Sequence, residues 1–558
     1  MRVQKTVCRQ VVTLELSSFR AVDVVRTISN HQPQHSPRLA ALVPKGGKYG
    51  YDLIAQVGTQ TFLEGRGLQS VAAELRALDI PFSSLHDMAL KFLYYFGLLH
   101  QHYAAPVLRD WFQQRGPMTW LMDATIEPGT PAFFGLLEPE NGLCLGAWKV
   151  ASENADELVP CLHQASELFG TPSEVLHDLG DAITAACEAV WKGAVRQRVC
   201  HYHLLADIGE DLYAQPQAAL RELVRQLKLQ PRLKEQRRGQ TDWLRDHVED
   251  TTTLVQLLRG RSADVPANVL GRELVLAFHQ WMLDYASDGR RQGYPFDPYL
   301  LYLHRRVLRA STALERLLRE PAVRQLAPQV LGNLSQMLRD YLGNARVIAA
   351  ADEFEQACQL FTRLRTAMRL SASGESPLQD PYLLEAEESK AVQQSLDTLR
   401  EECRRKAEDP ADPPAAKQYL IVVEHLDRYG TMLFNADSRQ RTTNPLESHW
   451  RKTKRCSRKR SGRKKLTREF QCLPAEVMLV PNLQSPEYVE RVLGDLSKLP
   501  AKLAQAAQSA PPWTKWRKDL KPINTGRLPQ GLLRRENVID DLVVIYHDQC
   551  DTEHKAAA

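Results

Sequence analysis

The stretch from Met118 to Leu205 constrains this chain more than any other, because its hydrophobic period changes repeatedly over a short span. Trp120–Met122, Phe133–Leu137 and Leu143–Val150 are apolar runs of strand length. Glu138-Pro-Glu-Asn-Gly142 separates the last two as a hairpin-type turn. Asp156–Phe169 then takes a helical period and stops at Gly170 and Pro172. Glu174–His177 reads as a fourth strand, Ala182–Val190 as a second helix, and Val195–Val199 as a fifth strand leading into Cys200-His-Tyr-His203. Three strands, a helix, a strand, a helix and a strand predict an α/β layer architecture.

Two aspartates fall at strand ends in this pattern. Asp123 closes the first strand, ahead of the turn residues Pro128 and Gly129, and Asp178 closes the fourth. A right-handed crossover can lay the fourth strand beside the first, which would bring both acids to one place. Either acid alone is more often a turn residue or a helix cap, and Asp181 competes with Asp178 to cap the Ala182 helix. A third acid lies in Arg441-Thr-Thr-Asn-Pro-Leu-Glu-Ser-His-Trp-Arg451. There Asn444 suits an N-cap, Pro445 the first helical position and Glu447 the third, so Glu447 could be the acid of a capping box. Its helix, however, runs straight into a cationic segment. Arg451 to Arg468 holds 11 Lys or Arg and no acid, in a chain whose net charge is only +5. A carboxylate and a phosphate-neutralising surface on one element suit phosphodiester chemistry. Acids at neighbouring strand ends suit a hard divalent ion such as Mg²⁺.

The rest of the chain is mostly helical in pattern. Leu53–Phe62, Leu68–Leu78 and Ser83–Tyr95 are successive helices, punctuated by Gly65, Gly67 and Asp79-Ile-Pro81, with Ser83 or Ser84 as N-cap of the third. This is helix-turn-helix spacing, although its candidate reading helix offers only His86 and Lys91 as basic groups. Ala218–Leu229, Leu270–Tyr285, Leu300–Leu318 and Ala349–Leu370 belong to a long all-α segment, broken near Gly289–Pro298, at Ser371–Pro377 and at Glu408–Pro414. Near the N-terminus Val11–Leu16 reads as a strand, and His31–His35 as a polar loop in preference to a metal site. Trp243, Trp281 and Trp450 suit core packing first and base stacking second. With 43% hydrophobic and 25% charged residues and no apolar run of membrane length, the composition favours neither disorder nor a membrane span. Ten scattered cysteines and the absence of a clean signal sequence suggest reduced thiols in a cytosolic setting.

Asp123 in a strand, HDLGDAITAACEAV with Asp178, CHYH at Cys200–His203 and RTTNPLESHWRKTKR with Glu447 together resemble the DDE transposases, closest to the Mutator-like and related bacterial insertion-sequence group. The likeness covers Met118–Ile208 and Thr431–Tyr488, about a quarter of the chain. It implies an RNase H-like α/β catalytic core with a large all-α insertion, preceded by an N-terminal helix-turn-helix-type domain. The implied divisions are an N-terminal segment 1–50, a helical DNA-binding domain 51–116, a first core part 117–205, an all-α insertion 206–426, a second core part 427–495 and a tail 496–558. The 269 residues from Asp178 to Glu447 fit such an insertion. The resemblance further implies that Asp123, Asp178 and Glu447 are catalytic and hold two Mg²⁺ ions, with Mn²⁺ able to substitute. Cys200 and His203 match the family's C-x-x-H element; a tetrahedral zinc site would need two more ligands, so they are expected to orient the strand end. Arg451, Lys452, Lys454, Arg455, Arg458, Lys459, Arg460, Arg463, Lys464 and Lys465 are expected to hold double-stranded DNA, both the element's terminal inverted repeats and the target. A homodimer or higher oligomer on DNA and a cytoplasmic, nucleoid-associated location in a bacterial cell are likewise implied. A stand-alone nuclease without strand transfer and a domesticated, non-catalytic DNA-binding protein are the rival expectations.

Overall fold

The structure is a computed structural model. It describes residues 40–44, 47–248, 266–321, 325, 327–370, 383–409, 413–434, 439–508, 513 and 516, together with the backbone of two strands at 2–8 and 13–19. The His31–His35 loop, the break at Ser371–Pro377 and the C-terminal apolar run Val538–Tyr546 lie outside the described residues. The chain divides into two units, Met1–Cys200 with Gln440–Ala558, and His201–Arg439 between them in sequence. The all-α insertion was expected over 206–426, so its helices begin five residues earlier and its unit ends thirteen later.

In the first unit, strands β1 (Arg2–Cys8) and β2 (Thr13–Phe19) form an antiparallel hairpin. Helices α1 (Tyr51–Phe62), α2 (Leu68–Glu74), α3 (Phe82–Leu99) and α4 (Ala105–Arg115) follow. Helix α3 starts at Phe82, with Pro81 as N-cap and no side-chain cap, so neither Ser83 nor Ser84 plays the expected part. Leu85, Met88, Ala89, Phe92, Leu93 and Phe96 repeat at helical spacing and are buried, and Tyr94, Tyr95 and Leu99 extend the burial around the helix. These residues share one core with the sheet described next, so residues 51–115 do not stand apart as a separate helical domain.

The sheet comprises β3 (Thr119–Thr125), β4 (Ala132–Glu138), β5 (Leu143–Val150), β6 (Glu174–His177) and β7 (Arg196–Val199), in the order β5-β4-β3-β6-β7. Strands β3, β4 and β5 run antiparallel as a meander, while β6 and β7 lie parallel to β3 through the crossover helices α5 (Ala155–Phe169) and α6 (Asp181–Trp191). All seven residues of β4 are buried, as a strand covered on both faces requires. Asn154 caps α5 by accepting the Glu157 N–H at 2.9 Å. Between β6 and β7, Glu174 and Arg198 form a buried ion pair at 3.0 Å.

The second unit, among its described residues, is built of helices: α7 (His201–Gln226), α8 (Leu229–His247), α9 (Ala267–Leu283), α10 (Tyr299–Leu318), α11 (Pro328–Leu342), α12 (Ala345–Ala367), α13 (Ala386–Ala407) and α14 (Pro413–Tyr429). The break near Gly289–Pro298 is ordered by Asp297, which is buried and accepts the N–H groups of Arg290, Gln292 and Gly293 at 2.8, 2.7 and 2.9 Å. The chain then returns to the first unit through α15 (Asn444–Ser461), the short α16 (Thr467–Cys472) and α17 (Leu499–Ala507). Among the described residues, no helix is long and apolar enough to cross a membrane.

Candidate active site

The parallel pairing of β3 with β6 sets Thr119 beside Glu174, Trp120 beside Val175 and Leu121 beside Leu176. The paired stretch ends there: Asp123 lies two residues past Leu121 within β3, and Asp178 two residues past Leu176, just beyond the end of β6. Asp123 does not end its strand, because Ala124 and Thr125 continue the ladder opposite Phe134 and Phe133. Asp178 stands one residue beyond β6 and is half-buried, and its Oδ1 accepts the Gly180 N–H at 3.0 Å. Asp181 is exposed in the first turn of α6, where Gly180 is the N-cap and no side chain caps the helix. Of the two competing acids, Asp178 is therefore the one at the sheet edge.

Glu447 arrives on α15, which is held to the first unit along its length. At its start, the Thr443 N–H donates to the Cys200 Sγ at 3.4 Å, tying the end of β7 to the helix entry. One turn on, His449 Nε2 bonds the Met478 carbonyl at 2.7 Å, and the Trp450 indole N–H donates to Asp123 Oδ2 at 3.1 Å. Toward its end, the Cys456 thiol faces the Leu63 carbonyl at 3.5 Å and Lys459 Nζ donates to the Glu64 carbonyl at 2.9 Å, both just past α1. A cation at carbonyls that end a helix is favourably placed. Gly65 permits this approach: its φ is +67°, and a Cβ there would lie 3.0 Å from the Cys456 carbonyl. The helix starts one residue earlier than expected, with Thr443 as N-cap and no side-chain cap. Glu447 is thus fourth in the helix, and half-buried.

At about 100° per residue, Leu446, His449, Trp450, Thr453 and Ser457 make the buried face of α15, while Glu447, Arg451, Arg455 and Arg458 fall within about 80° of one another on the other side. Arg451, Lys452, Arg455, Arg458, Lys459, Arg463, Lys464 and Lys465 are exposed. Lys454 is turned toward the loop after β3, where it and Arg458 face the Glu127 carboxylate at 3.4 and 3.7 Å. Arg460 differs from its neighbours. It is largely buried in an ion pair with Glu469 and lies 4.9 Å from the centre of the Phe62 ring, so it serves the packing of α15. A buried arginine looks like a surface one in a run of cations, and only the helical phase separates them.

The three acids are carboxylates alone, the hard-oxygen donor set that suits Mg²⁺ or Mn²⁺. Their side chains are not gathered into a cluster: among the described residues, no group of three or more His, Cys, Asp or Glu stands in metal-holding geometry. Asp123 is turned to the Trp450 indole and Asp178 to the Gly180 amide. Glu153, ahead of α5, is a fourth acid nearby; desolvation and then the charge of Asp178 hold its carboxyl above the usual range. His177, which precedes Asp178, is buried and its basicity is lowered by that burial.

Trp243 stacks on His247 at 4.3 Å with the Arg272 guanidinium 4.2 Å from its centre, and Trp281 is partly exposed beside Arg306 and Arg309. Trp450, by contrast, is buried. Its bond to Asp123 was not anticipated from the sequence; the available signal was its place three residues after Glu447 on the same helix. No family model matches the chain, and no curated protein matches it significantly.

Proposed function

We propose that this chain is a DNA transposase of the DDE type, with an RNase H-like core and a helical insertion ahead of its glutamate. The observation that carries the reading is the parallel pairing of β3, which holds Asp123, with β6, which Asp178 follows, together with the Glu447 helix bound to Asp123 through Trp450. Asp123, Asp178 and Glu447 would hold two Mg²⁺ ions, or Mn²⁺ in their place. Such ions activate an attacking oxygen and stabilise the leaving one in an in-line displacement. The exposed cations that follow Glu447 on its own helix bind the phosphate backbone and bring a phosphodiester to the acids. In the first reaction, water attacks phosphorus at the element end and releases a 3′-hydroxyl. In the second, that hydroxyl attacks a target phosphodiester, forming the new linkage and freeing a target 3′-hydroxyl.

The test is an assay with purified protein, DNA carrying the sequences that flank its gene, a target plasmid and Mg²⁺. Joined products that disappear in Asp123→Asn, Asp178→Asn and Glu447→Gln are the expected result. Nicks without joining would make the protein a nuclease. DNA binding with no cleavage, unchanged by all three substitutions, would leave a non-catalytic DNA-binding protein.

A further inference from the structure

Trp450 is 4% exposed and spends its single donor on a carboxylate. Its six-membered ring lies in a slot that exists because position 135 is glycine. A Cβ at Gly135 would stand 2.2 Å from Cη2 and 2.4 Å from Cζ2 of the indole. Gly135 is the cross-strand partner of Asp123, so the missing side chain and the bound carboxylate occupy neighbouring positions on one sheet face. The ring therefore sits over β4 while its N–H reaches β3. A tryptophan held this way has no open face for a nucleobase. His449, the preceding residue, packs edge-on against it at 5.6 Å.

We propose that Trp450 is a positioning residue for the Asp123 carboxylate, locking its orientation toward a divalent cation and fixing the distance between Asp123 and the helix that carries Glu447. The inference rests on the reading of Asp123 as a metal ligand. A neutral N–H bonded to a ligating carboxylate restricts its rotation without adding charge, and losing such a partner typically weakens metal affinity 10- to 100-fold. Glu447 precedes Trp450 by three residues, so the same bond sets where the glutamate side chain begins its reach.

The experiment uses the full chain and Mn²⁺ as probe, read by the loss of the free-ion electron paramagnetic resonance signal, alongside Mg²⁺ titrations of cleavage. Trp450→Phe keeps an aromatic ring and removes the N–H. Benzothienylalanine at position 450 keeps the full ring size with sulfur replacing the N–H, and serves if the phenylalanine variant does not fold. Asp123→Asn reports on the site itself. The expected result is a Mn²⁺ dissociation constant about 10-fold higher for either Trp450 variant. The Mg²⁺ half-saturation should rise in parallel, with a smaller fall in kcat at saturating Mg²⁺. Wild-type Mn²⁺ affinity in folded Trp450 variants, while Asp123→Asn abolishes cleavage and binding, overturns the inference and leaves the site reading standing. Wild-type cleavage and Mn²⁺ binding by Asp123→Asn overturns both.

Discussion

Replacing Gly135 with alanine tests the packing on which the candidate site depends, whatever the protein does. Non-bonded carbons settle at about 3.5–4.0 Å, and the new methyl would begin 2.2 Å from Trp450 Cη2. The indole must recede by more than about 1 Å, which stretches a 3.1 Å bond to Asp123 past useful length. Overpacking of a tight core costs about 1–3 kcal/mol. Loss of a hydrogen bond to a charged group costs about 1.5–3 kcal/mol, and the two overlap because one movement causes both. Alanine is favoured over glycine within a strand by roughly 0.5–1 kcal/mol, which offsets part of the loss. The net expectation is a destabilisation of about 2–3 kcal/mol, read from urea unfolding of the first unit's transition. In a Trp450→Phe background the clashing ring atoms are gone and the indole bond is already lost, so the same alanine should cost about 1–2 kcal/mol less. A cost below about 0.5 kcal/mol in wild type, or an equal cost in both backgrounds, would refute the slot.

Two further expectations follow from the same region. His100 is buried between the Tyr488 hydroxyl and the Leu145 carbonyl, and His449 beside the Met478 carbonyl; burial pushes each down to about 4. Both are neutral in folded and unfolded chains above pH 6.5, so their full stability is present there and is lost as pH falls from about 6.5 to 4, at up to about 3 kcal/mol each. His449→Gln keeps a donor for the Met478 carbonyl and should flatten that slope between pH 7 and 4.5; an unchanged slope would show that His449 does not titrate this way. Within the cationic segment, Arg455→Ala should leave stability within about 0.5 kcal/mol and lower the salt slope of DNA binding by about 1, whereas Arg460→Ala should destabilise by about 3 kcal/mol by stranding Glu469. Equal effects of the two in a thermal melt and a salt titration would contradict their different burial.

The strands and helices between Met118 and Leu205 were legible because each carries its own period and its own stop. Leu143–Val150 and Glu174–His177 appear with the bounds read from sequence. Local pattern also put Asp178 at a strand end, and the strand closes one residue before it. It could not tell that Asp123 sits inside its strand, because pairing with Phe133 and Phe134 across the sheet, rather than local propensity, extends β3 to Thr125. The helical segment at Tyr51–Leu99 shows the opposite limit. Its helices were legible, but their shared core with the sheet was not, since an amphipathic period says that a face is buried and never against what. The same limit hid Arg460 among the exposed cations, and it hid Trp450. Its indole reaches Asp123 across 327 residues of sequence, through a gap left by a glycine on a third element. Convergence of that kind depends on the absence of a side chain as much as on the presence of one. If the Gly135→Ala and Trp450→Phe substitutions prove independent, the helix carrying Glu447 is not held by that slot, and the pairing of β3 with β6 would bring together the strands that lead to the two aspartates without placing the glutamate.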